Sequence, residues 1–401
     1  MTNPQSKIHN PKSEANLLKD QLMTWRRDFH RHPELGFQEF RTSGVVARHL
    51  SSLGMEVQTG VGKTGVVGLL EGSRSGPVVM LRFDMDALPI QEVSQTDYTS
   101  QTPGVMHACG HDAHTAIGLG IAQLLAKHRD EIAGAIKFVF QPGEEGCGGA
   151  LAMIADGALE NPRPDVALGL HVWNDLPLGL VAAGNGGVMA AADLFTIKVQ
   201  GRGGHGAQPQ LCVDAVLIAS QIVVAVQSSV ARNVNPRQTA VVTVGAVHAG
   251  MAFNVIADTA ELQGTIRTVD AATREQIVRR MTDVVESTAR ALGGSATLEV
   301  KAITPATVND RRVSQAVRET ASAVLGAERV TADQFTLTAE DMSEFLSRVP
   351  GCFFFIGSAH AGEGRNAAHH NPHFDIDEAV LPPGAAVLAE AALKWGKTTT
   401  E

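Results

Sequence analysis

The 401-residue chain carries a formal net charge of −9, with 44% apolar and 19% charged residues. Aromatic residues make up only 4% of it, so neither the basic surface nor the stacking platforms of a nucleic-acid-binding protein are expected. No run reaches the ~18 apolar residues that span a bilayer. The amino-terminal stretch lacks the apolar core of a secretory signal, and four cysteines are too few for a disulfide framework. We expect a cytoplasmic protein with two or three domains.

The first 190 residues alternate helical and strand-like segments. Apolar residues recur at helical spacing over residues 14–32 and 38–53. Three apolar runs favour strands and lead into acids or a histidine, at residues 78–83, 135–140 and 166–170. Helices that alternate with buried strands are typical of an α/β layer fold, whose ligand sites lie outside the carboxyl ends of the strands. We therefore expect the polar groups that follow these strands to converge.

Those polar groups are of kinds that bind metals or move protons. Asp84 and Asp86 follow the first run, Glu144 and Glu145 the second, and His171 the third. Taken singly, a strand-end histidine is more often a hydrogen-bonded core residue, paired acids are usually solvated, and aspartates are common in turns. Their joint occurrence favours a shared site.

Residues 106–114, with the sequence MHACGHDAH, place a thiol, three imidazoles and a carboxylate within nine positions, just ahead of a helical segment at 115–125. Gly110 gives the backbone latitude to aim Cys109 and His111 at one point. A thiolate and an imidazole suit Zn²⁺, and they tolerate Co²⁺, Ni²⁺ or Mn²⁺ when carboxylates complete the coordination sphere. Two alternatives stay open on these residues alone: a structural cysteine beside solvated histidines, and a cysteine nucleophile with a histidine base.

The pattern changes from about residue 193, where segments follow in the order β-α-β-β-α-β. The strands are predicted at 194–199, 239–247, 253–268 and 296–303, and the helices at 213–230 and 272–292. This order builds a four-stranded antiparallel sheet with two helices on one face. We predict an inserted ferredoxin-like α+β domain over residues 191–305, which divides a larger domain into residues 1–190 and 306–401.

Helix and strand signals return after the insertion. Helices are predicted at 313–325, 341–349 and 383–395, a strand at 352–356, and a histidine-rich loop at 367–373. The residue pattern does not distinguish His369 from His370 as a ligand.

Several motifs in this order carry a family resemblance. They are LRFDMDALP, GVMHACGHDAH, FQPGEE, GLH, GRGGHGAQP and HNP. Together they resemble the di-metal aminoacylase and carboxypeptidase family, in its hippurate hydrolase and auxin-conjugate (indole-acetyl-amino acid) amidohydrolase branch. The likeness runs from about Trp25 to Trp395. It implies an α/β fold with a mixed-sheet, metallopeptidase-like catalytic domain and an inserted α+β domain that serves as lid and dimerisation surface.

The resemblance also implies a metal centre with two divalent ions, Zn²⁺ or Mn²⁺ first and Co²⁺ or Ni²⁺ as alternatives. The implied ligands are Cys109, His111, Glu145, His171 and His370. Glu144 is implied as the general acid/base. Because neighbouring side chains at a strand end cannot easily both point at the same ion, one glutamate coordinates and the other serves proton transfer. Asp86 joins the catalytic set as a residue that orients the imidazoles and Glu144, together with Asp84 and Asp112.

Three residues of the inserted domain are implied to act on the substrate. In relatives, the histidine that corresponds to His205 reaches a neighbouring subunit's active site and stabilises the developing oxyanion. Asn254 and Arg267 match positions that hold the substrate carbonyl or carboxylate, for which an arginine fork is well shaped. A homodimer, or a larger assembly of dimers, is therefore expected.

Two departures from the family pattern concern the substrate pocket. Relatives often have a histidine where this chain has Gln210, and an aromatic residue where it has Met342. The family resemblance therefore does not fix the acyl group or the amino acid.

These observations favour a metal-dependent amidohydrolase that cleaves N-acyl amino acids, hippurate-like or indole-acetyl-amino-acid-like. The alternative within enzymes is a dipeptidase or metallocarboxypeptidase with the same di-metal chemistry. A metal-dependent binding protein without catalysis and a cysteine hydrolase that uses Cys109 are the other two hypotheses. In each case the partner is a small molecule, not a nucleic acid or a membrane.

Overall fold

The computed structural model describes residues 11–360 and 366–398. Its α-helices are α1 Pro11–Leu17, α2 Lys19–Arg31, α3 Phe40–Ser52, α4 His111–Lys127, α5 Gly149–Ala155, α6 Ala215–Val226, α7 Ser228–Ala231, α8 Ala271–Ala291, α9 Arg311–Leu325, α10 Met342–Leu346 and α11 Leu381–Thr398. Its strands are β1 Glu56–Val61, β2 Gly65–Glu71, β3 Arg74–Asp84, β4 Ala133–Gln141, β5 Val166–Pro177, β6 Val181–Ala182, β7 Gly186–Met189, β8 Ala191–Gln200, β9 Gly204–His205, β10 Ala240–Ala249, β11 Val255–Ile256, β12 Thr259–Thr268, β13 Ser295–Thr304, β14 Thr307–Asn309, β15 Val330–Thr331 and β16 Gly351–Ala359.

The chain folds into two compact units. Among the described residues, the first contains 11–186, 308–335, 341–360 and 366–398, and the second contains 187–307 and 336–340. Each has its own cluster of buried apolar side chains. The fold class is confirmed: α/β, with a mixed sheet in one unit and an α+β arrangement in the other.

An eight-stranded mixed sheet forms the centre of the first unit, in the order β1-β2-β4-β3-β5-β16-β6-β15. Neighbours β4, β3, β5 and β16 run parallel, so their carboxyl ends meet at one edge. Helix α4 packs closely on this sheet. A Cβ atom added at Gly118 of α4 would lie 2.8 Å from ring atoms of Phe83 and Phe140, and glycine is what permits this separation between helix and sheet.

Helix α4 begins earlier than its apolar pattern predicts, at His111 instead of residue 115. Gly110 precedes it in the left-handed conformation, with φ of 89°, which glycine adopts without the steric cost of a Cβ atom. His111 and His114 therefore lie three residues apart on one face of the first turn, with ring centroids 5.5 Å apart, while Asp112 projects from another face.

Strand β5 is longer than predicted. The apolar run suggests an end before His171, whereas the strand continues to Pro177. The reason is its pairing with β16, in which Phe355 lies opposite His171 and Gly357 opposite Trp173. His171 therefore projects from within a buried strand.

The helix predicted over residues 14–32 is divided into two helices, α1 and α2, with Leu18 between them.

The second unit contains a four-stranded antiparallel sheet in the order β10-β12-β8-β13. Alternate residues of β12 are buried, and they share an apolar cluster with α6 and α8. This is the predicted β-α-β-β-α-β arrangement. The predicted strand over residues 253–268 is divided into β11 and β12, and β11 pairs with β9 in a small separate sheet.

No helix in the described ranges combines the length and apolar content needed to cross a membrane.

Candidate metal centre

The first unit brings together the donor atoms of the five residues that the family resemblance implies as ligands. The cysteine Sγ, imidazole nitrogens and carboxylate oxygens form two trios, each with its atoms within 4.8 Å of one another. One trio is Cys109, His111 and His171, and the other is Cys109, Glu145 and His370. Cys109 belongs to both, so the five side chains surround one continuous space.

Individual contacts show how tight this cluster is. Cys109 Sγ lies 3.5 Å from His171 Nε2, and Glu145 Oε1 lies 3.1 Å from His370 Nε2. His171 is 3% exposed, whereas the side chain of His370 is 52% exposed. The centre therefore extends from the buried strand β5 to the protein surface.

Two donor atoms of the cluster are buried and have no hydrogen-bond partner in the described part of the chain. They are His111 Nε2 and Glu145 Oε1. The contact of Glu145 with His370 has the distance of an ion pair but not the angles of a hydrogen bond, and both groups also lie within 4.8 Å of the Cys109 sulfur. Because leaving buried polar atoms unsatisfied is costly, this donor set fits divalent cations.

The imidazoles are oriented so that one nitrogen of each faces this space. His171 donates from Nδ1 to the carbonyl of Val172 at 2.6 Å, and His111 Nδ1 contacts the carbonyl of Asp86 at 2.9 Å. With Nδ1 engaged as a donor, the Nε2 atom keeps its lone pair for a metal ion. Burial, with His114 and His369 nearby, holds the pKa of His171 well below its usual range, so this ring is neutral as a ligand must be.

Asp86 contacts two of the proposed ligands, His111 and Glu145. Its Oδ1 lies 3.2 Å from His111 Nδ1, and its Oδ2 accepts a hydrogen bond from the backbone nitrogen of Glu145 at 2.9 Å. One carboxylate thus orients an imidazole and fixes the loop that carries Glu145. Asp86 therefore contacts His111 and the backbone of Glu145, whereas the sequence analysis expected it to orient the imidazoles and Glu144.

The electrostatics of the centre favour a cation. Burial would lower the pKa of His111, but the carboxylates of Asp84 and Asp86 raise it to about 10. Burial, together with Glu145 and Glu144, raises the pKa of the Cys109 thiol well above its usual range. The surrounding carboxylates therefore favour a protonated His111 and a neutral Cys109 thiol. A divalent ion would take the place of these protons, since a coordinated thiol is deprotonated.

His114 lies beside the centre, but both of its ring nitrogens are engaged. Nδ1 contacts Asp84 Oδ1 at 2.6 Å, and Nε2 accepts a hydrogen bond from the backbone of Val172 at 2.9 Å. Asp84 also forms an ion pair with Arg82 at 2.6 Å. Through these contacts Asp84 and His114 support β5 next to His171, and their donor atoms also lie within 4.8 Å of a donor atom of His111.

The structure distinguishes His369 from His370. His369 stacks on Trp173, with ring centroids 4.5 Å apart, and its Nε2 contacts the carbonyl of Val172 at 3.1 Å. His370 instead reaches Glu145. The backbone of His370 is left-handed, with φ of 65°, and its backbone nitrogen donates a hydrogen bond to the carbonyl of Ala108 at 2.8 Å.

Asp112 differs from the sequence expectation that it orients metal-binding imidazoles. Its Oδ2 lies 2.8 Å from Arg26 Nε and 2.7 Å from His30 Nδ1, on another side of α4 from His111. The sequence reasoning also missed Arg26 and His30. A signal was present, because Leu22, Arg26 and His30 are four residues apart on the buried face of α2, where charged residues are rare.

Glu39 is a second residue that the sequence reasoning missed. It is fully buried, and its Oε1 accepts hydrogen bonds from the backbone of Phe37 at 3.0 Å and of Gly143 at 2.9 Å. Thr64 donates to its other oxygen. Glu39 therefore anchors the loop that leads from β4 to Glu144.

The predicted substrate-binding residues belong to the second unit. His205 in β9 lies opposite Val255 of β11, and the backbone of Gly206 donates to the carbonyl of Asn254 at 2.9 Å. His205 and Asn254 are therefore neighbours on an exposed surface, whereas Arg267 lies on β12.

The two residues that depart from the family pattern have different environments. Gln210 is exposed in a short 3-10 helix. Met342 is completely buried at the start of α10.

Residues 80–394 match the model of "Peptidase family M20/M25/M40", which is more than half of the chain. The chain belongs to peptidase family M20/M25/M40. All the side chains of the candidate metal centre lie within the matched region.

Relatives within the M20 family are named for different activities. Over 390 residues the chain is 40% identical to thermostable carboxypeptidase 2 of Saccharolobus solfataricus, covering 96% of this chain and 98% of that protein. It is 39% identical to IAA-amino acid hydrolase ILR1-like 4 of Arabidopsis thaliana, covering 96% and 87%. The Bacillus subtilis YXEP structure, described as a dinuclear metal binding peptidase from the M20 family, superimposes with a TM-score of 0.84 at 34% identity, covering 96% and 99%. Family membership supports metal-dependent hydrolysis but does not define the substrate.

Replacing Asp86 with alanine tests whether this M20 centre depends on its supporting carboxylate. We expect the affinity for Zn²⁺ or Mn²⁺ to fall by about 10- to 100-fold, since outer-shell partners contribute on that scale. Competition with a chromogenic chelator measures the change. Asp156→Ala is the control, because Asp156 is an exposed carboxylate that accepts a hydrogen bond from Gly62. Equal affinities in the two variants would contradict the role given to Asp86.

Proposed function

We propose that this M20 protein is a di-metal amidohydrolase that hydrolyses the amide bond of N-acyl amino acids, such as hippurate or indole-acetyl-amino acids. The observation that carries the proposal is the pair of donor trios joined at Cys109. Two trios with one shared member are suited to two neighbouring ions. The buried atoms His111 Nε2 and Glu145 Oε1, which have no hydrogen-bond partner among the described residues, belong to side chains of these trios.

The ions are proposed to be held by Cys109, His111, Glu145, His171 and His370, with Zn²⁺ or Mn²⁺ as the first choices and Co²⁺ or Ni²⁺ as alternatives. When bound, they supply Lewis acidity, which lowers the pKa of a water nucleophile and polarises the substrate carbonyl. The protein contributes the rigid orientation of these donors.

Glu144 is the proposed general acid/base. Its carboxylate lies within 4.8 Å of the donor atoms of His111 and Glu145, and it is half-buried. From there it takes a proton from the attacking water and returns that proton to the leaving nitrogen. Anchoring of the preceding loop, through Glu39 and Gly143, limits the positions that its carboxylate can reach.

His205 is proposed to stabilise the oxyanion that develops on the substrate carbonyl. Its Nδ1 accepts a hydrogen bond from the backbone of Ala207 at 3.1 Å, so in the neutral ring the proton resides on Nε2. The ring therefore presents an N–H donor, which is what an oxyanion requires. Asn254, next to it, and Arg267 are proposed to bind the carbonyl and the carboxylate of the substrate.

The second unit is proposed as a lid and dimerisation surface. Strand β10 lies at the edge of its sheet, and the nearby loop exposes apolar side chains: Met251 is 102% exposed, Phe253 103% and Val255 54%. Edge strands and contiguous apolar patches are typical of surfaces that another chain covers. Since β9 and β11 pair through His205 and Val255, this surface adjoins His205.

Replacing Glu144 with glutamine tests the proposed reaction. We expect hydrolysis of hippurate and indole-acetyl-amino acids by the metal-loaded protein, and a fall in kcat of about 10²- to 10⁴-fold in Glu144→Gln, the usual contribution of a general acid/base. The metal content of the variant should stay unchanged, because glutamine keeps the shape of the side chain. Steady-state kinetics and elemental analysis measure the two effects.

Assays with hippurate, indole-acetyl-amino acids and dipeptides distinguish the proposed function from its alternatives. Dipeptides or carboxypeptidase substrates cleaved in preference to N-acyl amino acids would support the peptidase hypothesis. No hydrolysis in a metal-loaded sample would support a binding protein. Turnover by Glu144→Gln at the wild-type rate would contradict the assignment of Glu144.

Mixing two inactive variants tests the action of His205 on a neighbouring subunit. His205→Ala alone should lower kcat by about 10²- to 10³-fold without metal loss. When it is mixed with Glu144→Gln and the subunits exchange, each mixed dimer regains one complete site, and activity should rise to about a quarter of the wild-type value in a symmetric dimer. The control is His248→Ala, which changes an exposed histidine of β10. A mixture as inactive as its components would contradict action across the dimer.

A further inference from the structure

A charged residue is buried among segments that lead to the metal centre. Arg26 of α2 is fully buried, on the same helix face as Leu22 and His30. Burying a guanidinium group is costly unless it is paired and hydrogen-bonded, so its partners show what it holds in place.

Arg26 binds acids from two distant parts of the chain. Its Nε donates to Asp112 Oδ2 at 2.8 Å, and its Nη2 donates to Asp375 Oδ1 at 2.7 Å. Glu378 lies 3.4 Å from its third nitrogen, Nη1. The ring of Tyr98 lies 4.8 Å from the guanidinium carbon. The planar fork therefore joins separate carboxylates, which the point charge of a lysine cannot do in the same way.

The two carboxylates belong to segments that carry proposed metal ligands. Asp112 follows His111 directly, in the first turn of α4, and Asp375 lies in the loop after His370. Further hydrogen bonds hold Asp375: Tyr98 donates its hydroxyl to Oδ2 at 2.7 Å, and the backbone of Ile376 donates to Oδ1 at 2.9 Å. Arg26 thus connects the two segments without contacting the donor atoms.

The loop of His370 needs such an anchor. A non-glycine residue with φ of 65° is strained and persists only where its surroundings determine it. One restraint is the hydrogen bond from the backbone of His370 to Ala108, at 2.8 Å. The link from Arg26 to Asp375 provides a second restraint, on the carboxyl side of the loop.

We propose that Arg26 is a positioning residue of the metal centre: its guanidinium holds the 109–112 and 370–375 segments together, so that Cys109, His111 and His370 face the same ions. This inference rests on the proposed function. It predicts that the loss of the Arg26 fork weakens metal binding, beyond any general effect on stability.

Arg26→Lys is the main test, because it keeps the charge and removes the fork. We expect its affinity for Co²⁺ and Zn²⁺ to fall by about 10- to 100-fold, the scale of outer-shell effects. The absorption that arises from charge transfer between a cysteine thiolate and Co²⁺ should also weaken, because Cys109 no longer meets the ion in the same geometry. Asp375→Asn cuts the same link from the other side and should have the same two effects. It provides the test if Arg26→Lys does not fold.

Two control variants distinguish the positioning effect of Arg26 from the loss of a nearby charge and from a general loss of stability. Arg27 also pairs with Glu378, at 2.7 Å, but its side chain is 31% exposed, so Arg27→Met should bind metal within about twofold of wild type. Leu22 is fully buried on the same helix, so Leu22→Ala should lower the Tm of the metal-free protein and leave the cobalt spectrum unchanged.

The outcomes distinguish this inference from the proposed function. If the wild type binds two ions and Arg26→Lys or a folded Asp375→Asn binds them as tightly as Arg27→Met, the inference is wrong and the metal centre stands. A loss of affinity in Leu22→Ala equal to that in Arg26→Lys would also overturn it. If the wild type takes up no ions, the proposed function fails first.

Discussion

Buried negative charge around Cys109 is the constraint on which the rest of this structure depends. The carboxylates of Asp84, Asp86 and Glu145 lie around His111 and outweigh the effect of burial to raise its pKa. Burial, together with Glu145, Glu144 and Asp84, raises the pKa of the Cys109 thiol. Such a cluster is costly to bury unless cations or protons compensate it. The parallel strands, the start of α4 and the His370 loop together hold these groups at one place.

The parallel strands position two of these acidic groups, since their carboxyl ends bring Asp86 and the Glu145 loop to the same edge of the sheet. Gly110 positions His111, because its left-handed backbone allows α4 to begin at that residue. The remaining donor, His370, comes from a loop far along the chain. That loop is fixed by backbone and ion-pair contacts, and strand geometry does not determine its position.

The fold class could be predicted because buried strands and helical spacing are recorded locally in the sequence. The clusters of acids, histidines and Cys109 indicated a shared site, but the particular ligand set, including the choice of His370 over His369, came from the family resemblance and stays a prediction. The sequence could not predict the direction of Asp112, which depends on where α4 starts. It also could not reveal the link between Arg26 and Asp375, which spans 349 positions and involves no motif. The extent of β5 past His171 was missed for the same reason, since pairing with β16 determines it.

Elemental analysis of the purified protein, combined with amide hydrolysis measured before and after chelation, tests the central claim most directly. Two divalent ions per chain are expected, with activity lost on chelation and restored by Zn²⁺ or Mn²⁺. Hydrolysis that survives complete metal removal and is abolished by thiol alkylation would contradict the account, because it would make Cys109 a nucleophile instead of a ligand.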